Sequence, residues 1–111
     1  MPLDDATRLR HMLDAAEEAV TFATGKTRVD FDRERMLTLA LVRLIEIIGE
    51  AAANVTPATK AAHAEIPWRQ IVGTRNRLVH AYFAINLDIL WETISNDLPT
   101  LIVQLRPIVR P

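Results

Sequence analysis

Apolar residues recur along this chain at three- and four-residue spacing, which predicts amphipathic helices throughout. Residues 3–24 read as a first helix, with Leu9, Met12, Leu13, Ala16, Ala19 and Val20 on one side. Asp4 and Asp5 stand at its start, where a helix N-terminus favours acids. Arg8, Arg10, Asp14, Glu17 and Glu18 form its solvated face, and Gly25 fits a left-handed cap at its end. A second helix is predicted from near Asp30 or Asp32 to about residue 53. Leu37, Leu41, Leu44, Ile45, Ile48, Ala51 and Ala52 make its core stripe. Residues 54–65 read as a connector in which Thr56-Pro57 opens a short helical turn through residue 62. A third helix is predicted over 67 to about 82, and a last one over 86 to about 106. Asn86 sits at the N-cap of the last helix, and Pro99 forces a kink or a restart.

The third predicted helix breaks the amphipathic pattern. On a wheel of about 100° per residue, Trp68, Ile71, Val72, Leu78, Val79 and Tyr82 share one side, yet Arg75 falls among them. Gly73, Asn76, Arg77, His80 and Arg69 share the other. The stretch 73–83 thus carries two cations, an amide, an imidazole and a phenol amid apolar residues. That chemistry suits phosphodiesters. A guanidinium is a permanently charged fork for phosphate oxygens, and an imidazole moves a proton in either direction near neutrality.

Each residue also has a structural reading. Arg75 could be a buried partner of Glu46 or Glu50, like charges one turn apart on the second helix. His80 could complement a helix C-terminus, and Tyr82 could be a core ring. On a straight helix Arg75 and His80 would lie roughly 140° apart. They would then meet one phosphate only through a long reach of Arg75, or if the helix ended near His80, or if two copies of it formed a cleft by symmetry.

The spacing Arg75-x4-His80-x-Tyr82 resembles the HEPN superfamily, specifically its HepT branch. The likeness continues upstream in Pro67-Trp68-Arg69-Gln70-Ile71-Val72-Gly73 and in Ile47-Ile48-Gly49-Glu50-Ala51-Ala52. It extends downstream through Asn86-Leu87-Asp88-Ile89-Leu90-Trp91-Glu92. Ala81 departs from the Gly of many relatives, at a position where the motif varies. The resemblance implies an all-α antiparallel helical bundle, a two-fold homodimer, with residues 1–111 as one domain. It also implies a metal-independent RNA endonuclease, the toxin of a type II-like toxin–antitoxin pair. Arg75 and His80 would be catalytic, Asn76 and Arg77 supporting, and Arg69 and Arg77 would contact RNA backbone. The implied partner is a minimal nucleotidyltransferase antitoxin of the MntA type, which would adenylylate Tyr82. Two alternatives keep the fold without the nuclease: a non-catalytic interaction module, or the substrate-binding subunit of a two-chain nucleotidyltransferase.

Composition narrows these readings. The chain has 111 residues, which suits one domain, and half are hydrophobic, enough for a core that still gains from oligomerisation. With no cysteine, disulfides and thiolate metal sites are excluded, consistent with a cytoplasmic location. His63 and His11 have no partner at metal-ligand spacing, so neither a metal nor a cofactor is expected. No apolar run approaches the roughly 20 residues of a membrane span. A formal net charge of −1 argues against sequence-blind nucleic-acid binding. Residues 69–80, however, carry three Arg and no acid, so RNA contact would be local.

Overall fold

The computed structural model describes residues 4–80 and 84–110, without the side chain of His80. Helix α1 spans Asp5–Ala23. Asp4 caps it, one carboxylate oxygen accepting from the Thr7 N–H at 2.8 Å. Gly25 follows the end of the helix at φ +78°, the left-handed conformation that glycine adopts without penalty.

The predicted second helix is two. Helix α2 covers Arg28–Arg33 and α3 covers Arg35–Asn54, with Glu34 between them at φ −105°, ψ 82°. The break turns Phe31 into the core, where it meets Trp91 edge-to-face at 5.2 Å between ring centroids. Thr38 repairs part of the interrupted ladder, its hydroxyl donating to the carbonyls of Phe31 and Glu34. Periodicity gave no sign of this break because Glu34 is itself a good helix former.

Helix α4, Pro57–Ala62, is the short turn expected after Thr56. It is tied back to α1 through Asp5, whose carboxylate accepts from the hydroxyls of Thr56 at 2.5 Å and Thr59 at 2.6 Å. These bonds, Thr56 first, hold the Asp5 carboxyl down at about 2.

Helix α5 is shorter than expected. It runs over Trp68–Leu78, after which Val79–His80 (β1) pairs antiparallel with Ala84–Ile85 (β2). The Asn86 N–H closes this hairpin onto the Leu78 carbonyl at 2.7 Å, and the Asn86 side chain then caps the next helix through the Ile89 N–H. Tyr82 lies outside the described residues.

The last predicted helix is α6 over Leu87–Glu92, a π turn over Thr93–Asp97, and α7 over Leu98–Val109. Pro99 has no N–H for the Ser95 carbonyl, and the widened turn absorbs that loss immediately before it. Pro107 sits in the final turn without ending it, so α7 outlasts the predicted boundary.

The long helices pack as an all-α bundle, α1 between α3 and α7, and α3 between α1 and α5. Met12, Leu13, Leu41, Leu90 and Leu105 are fully buried between them, each contributing about 1.5–3 kcal/mol of transfer free energy. Gly49 brings α3 close to α5: a methyl added there would sit 3.5 Å from the Ile71 carbonyl oxygen. No described helix is long and apolar enough to cross a membrane.

Candidate functional site

The motif is split between two kinds of backbone. Arg75, Asn76 and Arg77 occupy the last turn of α5, while His80 belongs to β1. Leu78, fully buried, is the hinge between them. Val79 already has extended angles, φ −109° and ψ 115°. The 140° separation expected on a continuous helix therefore does not apply to Arg75 and His80. For the same reason Asn76 and His80 do not stand one helical turn apart.

Position on α5 sets what each polar side chain meets. The inward line is Ile71, Thr74 and Leu78, with Thr74 buried where only apolar residues were expected. Val72, expected on the core side, is exposed instead. Arg75 projects over the α3 flank. Its Nε lies 3.7 Å from Glu46 Oε2, with the Arg75 side chain 53% and the Glu46 side chain 34% exposed. This is a half-solvated pair rather than a buried one, in the class worth about 0–1 kcal/mol. Glu50, the other partner considered, instead lines a shallow cavity with Arg8 and His11 of α1.

Arg77 lies about 200° round the helix from Arg75, and it leans the opposite way. Its Nη2 donates to Thr74 Oγ1 at 3.0 Å. Beyond it stands Asp97 of the π turn. Burial, then the charge of Glu92, push the Asp97 carboxyl up, and the Arg77 cation pulls it part of the way back. Arg69 and Asn76 fall on the outer side of α5 and are exposed. Among the described residues, no three of His, Asp and Glu gather as a metal-ligand set.

The face that carries Arg75 and Glu46 extends beyond them. Met36, Leu39 and Arg43 precede Glu46 at helical spacing along α3, and all three are exposed, Met36 at 88%. Val72 stands one turn before Arg75 on α5. The half-exposed cation is thus edged by apolar side chains that the chain itself leaves uncovered.

Sequence reasoning missed a second feature, a cavity of about 230 Å³ on the Arg77 flank of α5. Its only sequence signal is the spacing Thr93, Asp97, Leu101 ahead of and across Pro99, which places a carboxylate on an otherwise inward-facing line.

A family model described as "Ribonuclease HepT-like" matches residues 12–108. Among curated proteins, the chain is similar to one named "Putative RNase TTE0752" from Caldanaerobacter subterraneus subsp. tengcongensis. The two are 38% identical over 92% of this chain and 91% of that one. It is also similar to "Probable ribonuclease HepT" from Thermococcus cleftensis, 42% identical over 84% of each chain. No solved structure matches it.

Proposed function

Since the chain belongs to the HepT-like ribonuclease family, we propose that it is a metal-independent RNA endonuclease with Arg75 and His80 as its catalytic pair. One observation carries the reading. Arg75 is held at the end of α5 by a weak, half-solvated pair with Glu46, so a phosphate can take the guanidinium at little cost. His80 follows it across a buried hinge. Its backbone is fixed by pairing with Ala84.

In the proposed reaction the ribose 2′-oxygen forms a bond to the adjacent phosphorus and the P–O5′ bond breaks. His80 takes the 2′-hydroxyl proton as general base and protonates the departing 5′-oxygen as general acid. Arg75 stabilises the charge that builds on the phosphoryl oxygens. The products are a 2′,3′-cyclic phosphate and a 5′-hydroxyl. Arg69, exposed on the outer side of α5, suits a backbone phosphate further along the RNA. Arg77 is drawn toward Thr74 and supports the site from the opposite flank.

The enzyme works as a two-fold dimer in this reading, with Met36, Leu39 and Val72 covered by a second copy. Two sets of Arg75 and His80 then border one cleft. A dimer mass by light scattering at micromolar concentration is the expected result, and a monomer would reject this part. In the cytoplasm the protein acts as a toxin, restrained by a minimal nucleotidyltransferase that transfers AMP from ATP to the Tyr82 oxygen with release of pyrophosphate. The phosphodiester so formed would occupy Arg75 in place of substrate.

The test is cleavage of RNA in EDTA with analysis of the new ends. Fragments ending in 2′,3′-cyclic phosphate, and sparing of a substrate with a 2′-deoxyribose at the cut, are expected. No cleavage by the folded protein would leave an interaction module or a nucleotidyltransferase subunit.

A further inference from the structure

The cavity on the Arg77 flank lies between α3, α5 and the Thr93–Leu101 stretch. Ile45, Ile48, Ile71, Leu98 and Leu101 give it apolar walls. At about 230 Å³ it falls below the roughly 300–1,000 Å³ of sites that enclose drug-sized ligands. It suits one flat ring system, not a whole nucleotide.

Its polar groups share one character. Thr74, Thr93 and Thr100 line the cavity, and each spends its single hydroxyl hydrogen inside its own helical segment. They donate to the carbonyls of Gln70 at 2.8 Å, Ile89 at 2.8 Å and Asn96 at 3.1 Å. Only their lone pairs remain, and Arg77 already uses one on Thr74. Asp97 adds a carboxylate, an acceptor at both oxygens, with no hydrogen bond to any described residue. Gln70 alone brings an amide donor. The lining therefore selects a flat apolar body whose edge is rich in N–H donors.

We propose that this cavity binds a guanine base, with Asp97 accepting from N1–H and the 2-amino group. Guanine presents those two donors side by side, matching the two oxygens of a carboxylate. The neighbouring O6 acceptor meets the Gln70 amide. The other bases match less well. Uracil has one N–H set between two carbonyls, which a carboxylate repels. Adenine and cytosine each place an acceptor nitrogen beside their amino group. Apolar walls with hydrogen bonds to the Watson–Crick edge are how a base turned out of its strand is read. Arg77 is hydrogen-bonded to Thr74 of the lining and near enough to lower the Asp97 carboxyl, on the flank where the phosphate attached to such a base would pass. The proposal rests on the ribonuclease reading, since it names the base such an enzyme selects, but binding can be measured without cleavage.

The experiment titrates the full chain with guanosine, inosine, N1-methylguanosine, adenosine, cytidine and uridine, following the Thr74, Thr93 and Thr100 methyl signals by NMR. Guanosine is expected to bind in preference and to shift those methyls. Inosine and N1-methylguanosine, each lacking one donor, should bind about ten- to a hundredfold more weakly. Asp97→Asn should erase the preference. Equal binding of all six, no binding by any, or a guanosine preference that survives in folded Asp97→Asn would overturn the proposal. If the variant does not fold, the analogue series on the wild type decides. Guanosine-selective binding without RNA cleavage would uphold the cavity and reject the ribonuclease. RNA cleavage without guanosine binding would do the reverse.

Discussion

Replacing Leu78 with alanine tests whether the hinge between α5 and β1 holds the two halves of the motif together. Leu78 is 0% exposed, and its carbonyl accepts the Asn86 N–H that closes the hairpin. Truncation removes three buried carbons from a packed site, a change that costs about 2–5 kcal/mol. For a domain of this size each kcal/mol shifts the midpoint by about 4 °C, so Tm should fall by about 8–20 °C. Stability alone does not single out the hinge, so Leu105→Ala serves as the control. Leu105 is equally buried but sits on α7, which packs on α1. Both variants are assayed for RNA cleavage at a temperature where circular dichroism shows each fully folded. If Leu78 positions Arg75 against His80, the small displacement it permits should cost about ten- to a hundredfold in rate. Leu105→Ala should then stay near wild type. Equal rates for the two folded variants would refute the hinge, whatever their melting temperatures.

Gly49→Ala should be neutral or stabilising by up to about 1 kcal/mol, because the added methyl meets the Ile71 carbonyl at ordinary contact distance while the helix loses a glycine. Gly49→Leu should separate α3 from α5 and lower Tm; denaturant melts of both variants check this. The Asp5 carboxyl, held at about 2 against 3.8 unperturbed, gives a pH signature. Its folded value is depressed, so its contribution is complete above pH 3.8 and lost as pH falls through 2. Acid unfolding curves should therefore be shallower for Asp5→Asn over that window, and superimposable curves would reject the network with Thr56 and Thr59. Co-expression with the proposed nucleotidyltransferase should add one adenylyl mass to the wild type and none to Tyr82→Phe, by intact-mass spectrometry. No added mass, or the same mass on both, would remove Tyr82 as the modified residue.

Helix positions and core faces were legible because burial imposes a 3.6-residue period on the chain. Leu41, Ile45, Ile48 and Ala52 fall on one stripe in sequence and are buried in the fold. What periodicity could not show were places where one tertiary contact overrides local preference. Burial of Phe31 against Trp91 breaks the helix at Glu34. The hairpin of Val79–His80 with Ala84–Ile85 stops α5 at Leu78, although 79–82 keep a helical pattern. That second override changes the site, since the angle that a continuous helix would set between Arg75 and His80 no longer applies. The Arg75–Glu46 proximity was one of two pairings the like-charged glutamates suggested; only the crossing of α3 and α5 at Gly49 distinguishes them. The guanidinium of Arg77 and the carboxylate of Asp97 are twenty residues apart, and nothing in either local sequence announces that the one comes near enough to act on the charge of the other.

Whether His80 moves the proton while Arg75 stabilises the phosphoryl charge is decided by RNA cleavage in EDTA, compared between wild type and folded His80→Ala. Removing the imidazole should slow cleavage about 10²–10⁴-fold, with the melting curve close to wild type. Cleavage at the wild-type rate by folded His80→Ala would contradict it.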